Sequence, residues 1–372
     1  LLYFQTTTMT EPLLLCSIIT AIYFMVKYMK ENKVIDLILC GVSVAASTLI
    51  RYDGWFLFLC LSIMIPLYNL IAKRQKRAES SLVLFLCAGG FGIFLWFLWN
   101  LTIFGDPLYF ISGPYSAAAQ QKVLASVGQL PTKGNLYTSV FYYIWSVIEN
   151  NGIILVIAAA IGSLMMPFIL KRKSYSFMIL IIFTPIIFNI IALFMGQSAM
   201  NILQAPENPG LFNIRYGMMA LPAIAIVLGI LASNKILRFG VLLLFFIQSY
   251  LFFQQGLPIT LVDGLSGLKN TYYTVAGSSW LREHYAGGLI LTSLASHDAF
   301  VARAQIPMKN YIHEGTREYW SESLENPLKH ATYITVLTDP PDSVYRSIKN
   351  KPSFRDNYTK VYTYNKFEIY KI

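Results

Sequence analysis

Eight apolar stretches, each near the length that crosses a hydrocarbon core, follow one another through the first 255 residues. They fall at about 12–28, 35–50, 55–72, 80–100, 152–170, 176–196, 216–233 and 239–255. Inside a bilayer a backbone must satisfy its own polar groups, so a run of this kind can fold as a set of helices and as little else. The charges are arranged to suit. Lys27, Lys30 and Lys33, then Lys73, Arg74, Lys76 and Arg77, then Lys171, Arg172 and Lys173, then Lys235 and Arg238, punctuate alternate loops. Placing those loops in the cytoplasm gives one consistent orientation. Glu11, Arg51, residues 101–151, Arg215 and everything after residue 256 are then expected outside.

Composition agrees with this placement. Hydrophobic residues make up 55% and charged residues 13% of the chain. A net charge of +10 would otherwise suggest a nucleic-acid partner, but the cations sit at helix ends, so none is expected. Cys16, Cys40, Cys60 and Cys87 all lie in apolar stretches and read as packing residues, with no disulfide or zinc spacing. The chain opens on Leu1-Leu2-Tyr3-Phe4-Gln5 without a methionine or a secretory signal, and its first crossing runs inward. It is therefore expected to be an internal fragment that lacks upstream membrane segments.

After residue 256 the pattern changes. Residues 263–372 hold 11 of the 19 acids and all four histidines. Strands are expected at Gly288–Ser293, Tyr333–Thr338, 359–364 and 366–371, with helices near 276–285, 297–304 and 342–349. This predicts two parts, a helical membrane domain over 1–255 and a small α/β domain over 256–372. The spacings between His284, His297, His313 and His330 match no metal-ligand motif, so ordinary surface or core roles are expected.

The long segment 101–151 is the other irregularity. Gly105-Asp106-Pro107-Leu108-Tyr109-Phe110 and Gly113-Pro114-Tyr115 mark turns, with Asp106 shaping the first. Tyr137, Phe141, Tyr142, Tyr143, Ile144 and Trp145 form an aromatic stretch suited to the membrane interface. A loop this long reads equally as a binding lid or as an interfacial anchor.

Two arginines run against the orientation bias: Arg215 in Asn213-Ile214-Arg215-Tyr216, and Arg51 in Arg51-Tyr52-Asp53-Gly54-Trp55. Arginine's planar fork matches phosphate oxygens, so the pair suggests a phosphate site at the outer surface. Simpler readings stand beside it. Glu11, with Pro12 behind it, fits the first turn of a helix as a capping carboxylate. Arg51 and Asp53 can pair with each other. Arg215 has no acid nearer in sequence than Glu207, which leaves a phosphate as its favoured partner.

Taken in order, Thr10-Glu11-Pro12, Arg51-Tyr52-Asp53-Gly54-Trp55, Gly105-Asp106-Pro107-Leu108-Tyr109 and Asn213-Ile214-Arg215-Tyr216 with Leu221-Pro222 resemble the GT-C superfamily of membrane glycosyltransferases. The likeness is to the bacterial branch related to protein mannosyltransferases and the lipid A aminoarabinose transferase. It covers essentially the whole chain. The resemblance implies a mainly α, polytopic GT-C-like helix bundle, N-terminally incomplete, with a C-terminal extracytoplasmic α/β domain. It implies a cell-membrane enzyme that moves a sugar, with inversion, from a polyprenyl-phosphate donor in the lipid bilayer to a glycan, lipid or protein acceptor. The family's main catalytic aspartate would lie in a loop absent here, and Glu11 matches its second acidic position. Arg215 foremost, with Arg51, Tyr216 and Tyr52, would hold the donor phosphate. Asp53, Asp106 and Tyr109 fall in the site loops, and a divalent metal cofactor is left open. A lipid-linked-sugar transporter is a second reading, although nearly charge-free helix centres count against it. A non-catalytic membrane ligand-binding protein is a third.

Overall fold

The computed structural model describes residues 9–113, 116–126, 128, 130–170, 181–206, 210–256 and 258–372. The opening stretch 1–8, most of the Gly113-Pro114-Tyr115 turn, the basic loop at 171–173, the start of the 176–196 stretch and Glu207 lie outside those residues. The chain is mainly helical and ends in a small sheet. It divides into two compact units, 1–263 and 264–372.

The first unit is built from α1 (Glu11–Glu31), α2 (Val34–Ile50), α3 (Tyr52–Ile71), α4 (Gln75–Phe104), α5 (Ala117–Ser126), α6 (Leu136–Asn151), α7 (Ile153–Ile169), α8 (Thr184–Phe194), α9 (Leu221–Ala232) and α10 (Lys235–Gln255). A seven-residue 3-10 helix, Ile214–Ala220, leads into α9, and α11 (Ile259–Asn270) follows α10. Among the described residues, five helical runs are long and apolar enough to cross a membrane: Glu11–Glu31, Tyr52–Ile71, Gln75–Phe104, Ile214–Ala232 and the run from Lys235. The expected stretches at 35–50 and 152–170 form helices below the length of those five, and α8 is the described helix of the 176–196 stretch. α2 has 17 residues, about 25 Å of rise against a core of about 30 Å. α7, equally short, joins α6 through a bend of 115°. The break falls at Gly152, whose φ of +86° suits glycine and whose missing Cβ leaves room for Gln248. The Gln248 side chain then accepts a hydrogen bond from Ile154 N–H at 3.0 Å, satisfying a donor at the start of α7.

Small residues let the first four helices close up. A Cβ on Gly92 of α4 would sit 2.3 Å from the Ala45 carbonyl of α2, and one on Gly41 of α2 would sit 2.6 Å from Ala88. This is the close approach that small residues permit where lipid supplies no hydrophobic drive between helices. At the far end of α1, Tyr28 hydroxyl meets Ser81 at 2.8 Å, Tyr68 donates to Met29 O at 2.7 Å, and Lys27 pairs with buried Asp36 at 3.1 Å. These polar contacts stitch α1 to α2, α3 and α4.

The second unit holds α12 (Tyr273–His284), β1 (Leu289–Leu291), α13 (Leu294–Ala304), β2 (Tyr311–Ile312), α14 (Glu318–Glu325), β3 (Ala331–Leu337), α15 (Ser343–Ile348), β4 (Thr359–Tyr364) and β5 (Phe367–Lys371). The strand order is β2-β1-β3-β5-β4, with β2, β1 and β3 parallel and the last two antiparallel. β3 alternates its side chains between two cores. Tyr333 packs with Leu281, Phe300 and Phe367, while Ile334 and Val336 pack with Val344, Ile348 and Phe354. A strand covered on both faces reads as an apolar run, as Tyr333–Leu337 does. The four histidines take ordinary places. His297 is buried against Asp342 at 2.8 Å, His330 meets Glu322 at 2.7 Å, His313 caps a 3-10 turn and His284 stacks on Trp280.

Candidate functional site

Glu11, Arg51, Asp53 and Arg215, scattered over 204 residues of sequence, meet at one end of the helices. Glu11 Oε1 accepts from Arg215 Nε at 2.8 Å and lies 3.4 Å from Arg51 Nη1. Arg51 Nε reaches Asp53 Oδ2 at 3.2 Å. Both carboxylates are buried, Glu11 2% and Asp53 3% exposed. The Tyr216 ring lies under both guanidiniums, 4.4 Å from Arg51 and 5.2 Å from Arg215. Cation–π contact and ion pairing together compensate charges that would be costly to bury alone.

Local sequence explains how each group is held. The chain leaves α2 at Ser47–Ile50, runs extended through Arg51 and re-enters a helix at Tyr52. Gly54 makes that turn possible, since a Cβ there would lie 2.3 Å from the Ser47 carbonyl oxygen. Trp55 Nε1 donates to Thr48 O at 2.9 Å and locks it. On the other side, the 3-10 helix carrying Arg215 and Tyr216 hangs on α6. Asn150 and Asn151 donate to Ile214 O at 2.8 Å and Gly217 O at 3.1 Å, and Tyr143 hydroxyl donates to Tyr216 O at 3.3 Å. The aromatic stretch of α6 is thus only partly free: Tyr137 is 80% exposed, but Tyr142 and Tyr143 are buried. A helix carrying a Tyr-rich stretch serves here chiefly as the mount for the arginine turn.

A cleft of about 450 Å³ opens beside this quartet, walled by Arg51, Tyr52, Asp53, Trp55, Trp96 and Tyr216 and by the amides of Gln120, Gln121, Asn189, Gln197 and Asn213. Asn189 Nδ2 lies 3.4 Å from Asp53 Oδ1 and donates to Pro185 O at 2.7 Å. A second chamber of about 430 Å³ shares Tyr52, Trp55, Ala117, Gln121 and Gln197 with the first. Its remaining walls are Phe110, Ile111, Ala118, Gly196 and the lysines 122 and 133.

The residues expected from sequence separate into two groups. Arg51, Tyr52, Asp53 and Tyr216 stand on the cleft wall. Glu11 and Arg215 adjoin it without lining it, and Arg215 has the acidic partner that its sequence neighbourhood lacked. Asp106 holds its own turn, accepting from Leu108 N–H at 2.8 Å and Ser112 hydroxyl at 3.1 Å. Tyr109 stacks on Phe104 with centroids 4.2 Å apart, and neither residue lines a chamber. The segment 101–151 contributes through α5, which supplies Gln120 and Gln121. Those amides, Gln197 and Trp96 carried no sequence signal, whereas Trp55 closes the Arg51–Trp55 motif. Asn189 did carry one, as the single amide in the apolar run Thr184–Phe194. Among the described residues no group of three or more His, Cys, Asp or Glu is placed to hold a metal ion.

An amide-rich cleft floored by tryptophan suits a ligand with many hydroxyl groups, and a buried Arg–Asp pair offers both a cation and a proton acceptor. Compared with known proteins, the chain matches no family model, no curated protein and no solved structure.

Proposed function

We propose that this protein is a membrane glycosyltransferase of the GT-C type, moving a sugar from a polyprenyl-phosphate donor to an extracytoplasmic acceptor. The observation that supports it most is the pair of adjoining chambers, the first of them walled by an arginine–carboxylate pair. A two-substrate transfer needs donor and acceptor side by side, a cation at the departing phosphate and a base at the attacking group. In this reading the cleft faces the outer side, as the alternation of basic loops implies.

The residues divide the work as follows. Gln120, Gln121, Gln197 and Asn213 hydrogen-bond the sugar, and Trp55 and Trp96 give it apolar faces. Arg51 holds the donor phosphate. Asp53 takes the acceptor proton as the acceptor oxygen or nitrogen bonds to the anomeric carbon. The bond from that carbon to the phosphate oxygen breaks, polyprenyl phosphate leaves, and the configuration inverts. Arg215 and Glu11 stand behind Arg51 and fix its position.

Transfer of radiolabelled sugar from polyprenyl-phosphate donors, measured in native membranes with and without chelator, tests the reading. Arg51→Ala is expected to lower turnover about 10²- to 10³-fold, the usual loss for a charge stabiliser of the transition state. Asp53→Asn is expected to do at least as much, and Arg215→Ala less. Unchanged turnover in both Arg51→Ala and Asp53→Asn overturns the proposal.

A further inference from the structure

The second chamber carries two cations that no acidic side chain among the described residues neutralises. Lys122 on α5 and Lys133 in the turn before α6 both line it and are both exposed. Neither forms an ion pair among the described residues. The quartet beside the first chamber is different: two guanidiniums face two carboxylates there, and their formal charges cancel. Among the described residues, the uncompensated charge of this region therefore belongs to the lysines.

Lys133 is also held in place. Its stem lies over Gly196, where a Cβ would come within 2.7 Å of Lys133 Cδ and where φ is +69°. The residues around it are anchored to the end of α8, with Thr132 hydroxyl donating to Leu193 O at 3.1 Å and Gly134 N–H to Phe194 O at 2.8 Å. The rest of the chamber is an apolar wall of Tyr52, Trp55, Phe110, Ile111 and two alanines, at the ends of the membrane-length helices α3 and α4. Between the two chambers Gln121 keeps its Oε1 sealed from solvent and without a donor among the described residues.

We infer that the second chamber binds the phosphate-bearing head of a membrane lipid, and that this lipid is the acceptor. Compact ammonium groups suit a phosphate as point charges, the aromatic wall suits the glycerol and first methylenes, and Gln121 Oε1 suits a head-group hydroxyl. The word acceptor rests on the transferase reading above. The binding itself does not.

Binding is measured on the full chain in phosphatidylcholine nanodiscs, without turnover, using phosphatidic acid, phosphatidylglycerol, diacylglycerol, inorganic phosphate and sugar-free polyprenyl phosphate as separate probes. The wild type is expected to bind the two anionic lipids at least tenfold more tightly than diacylglycerol or inorganic phosphate. Lys122→Gln with Lys133→Gln is expected to remove that preference and leave polyprenyl phosphate unchanged, and the double arginine variant to restore most of it. Equal anionic-lipid binding by wild type and the glutamine variant overturns the inference. So does a glutamine variant that loses polyprenyl phosphate instead, since the chamber would then serve the donor. A chain that binds these lipids but transfers no sugar leaves the site standing and removes the transferase reading.

Discussion

Glu11 is the hinge of the charged cluster, and its replacement separates a structural ion network from a pair of incidental contacts. Its Oε1 serves Arg215 at 2.8 Å and Arg51 at 3.4 Å, while Oε2 is sealed off with no partner among the described residues. At an effective dielectric of about 20, unit charges about 4 Å apart attract by about 4 kcal/mol, and desolvation of the carboxylate takes back much of that. The Arg215 side chain is 28% exposed, so water offsets part of its loss as well. Glu11→Ala is therefore expected to cost about 3 kcal/mol, near the low end for breaking a buried pair. Glu11→Gln keeps an acceptor oxygen for Arg215 and is expected to cost about 1–2 kcal/mol. Combined with Arg215→Gln in a double-mutant cycle, it should show a coupling of about 1–3 kcal/mol. Reversible unfolding in mixed detergent micelles reads these differences. A coupling below about 0.3 kcal/mol, with both single variants as stable as wild type, would refute the reasoning.

Three further outcomes follow from particular contacts. Gly54→Ala drives a methyl group to 2.3 Å from the Ser47 carbonyl, a backbone atom that cannot swing aside; it should destabilise the first unit by about 3 kcal/mol in the same micelle unfolding and displace Arg51 and Asp53. Asp342 accepts from Leu337 N–H and Tyr345 N–H, both at 2.7 Å, and pairs with His297 at 2.8 Å; Asp342→Asn should cost about 2–3 kcal/mol, read as faster hydrogen exchange at β3 and α15 in the whole chain. Burial pushes the Tyr358 hydroxyl up from 10.0 to about 12. A raised pKa means that its contribution is complete below pH 10 and lost as pH climbs through about 12. Exchange protection in β3 should fall over that window, and Tyr358→Phe should flatten the fall.

Local pattern made most of the elements legible. The strands at 289–291, 331–337, 359–364 and 367–371 sit where apolar and aromatic alternation places them; three bury a face, and the edge strand 359–364 half-buries Tyr362 and Tyr364. β2 escaped, since two residues carry no period, and α14 escaped because its sequence is mostly polar. The membrane-length runs were legible by hydropathy, and Glu149-Asn150-Asn151 marked the boundary before Gly152, but the helix on its near side and the 115° bend were not, because a single left-handed glycine makes the bend. At the site, Arg51, Asp53, Glu11 and Arg215 stood out as charges in an apolar setting. Their mutual pairing was hidden: Arg215 finds its carboxylate 204 residues away, a distance that only packing closes. The cleft amides were invisible for the opposite reason, since a glutamine in a polar segment looks like any solvated residue until a wall forms around it.

The balance of charge in the quartet bears on what it can do. With two guanidiniums facing two buried carboxylates, an arriving phosphate meets a cluster of no net charge and gains little from long-range attraction. Its gain must come from short, directed hydrogen bonds to Arg51, whose side chain is 18% exposed and lines the cleft, and from the change in protonation at Asp53. In the proposed transfer, when Asp53 accepts the acceptor's proton, its negative charge disappears and the quartet becomes net positive. That is the moment when negative charge collects on the departing phosphate. A neutral resting cluster thus favours the phosphate as it leaves over the phosphate as it arrives, which is the differential binding that speeds a reaction. An arginine pair without its carboxylates would hold both states tightly and lose that selectivity. The proposed transfer thus makes Asp53 and Glu11 part of the phosphate site and uses the Arg51–Asp53 contact to couple proton transfer to departure of the leaving group.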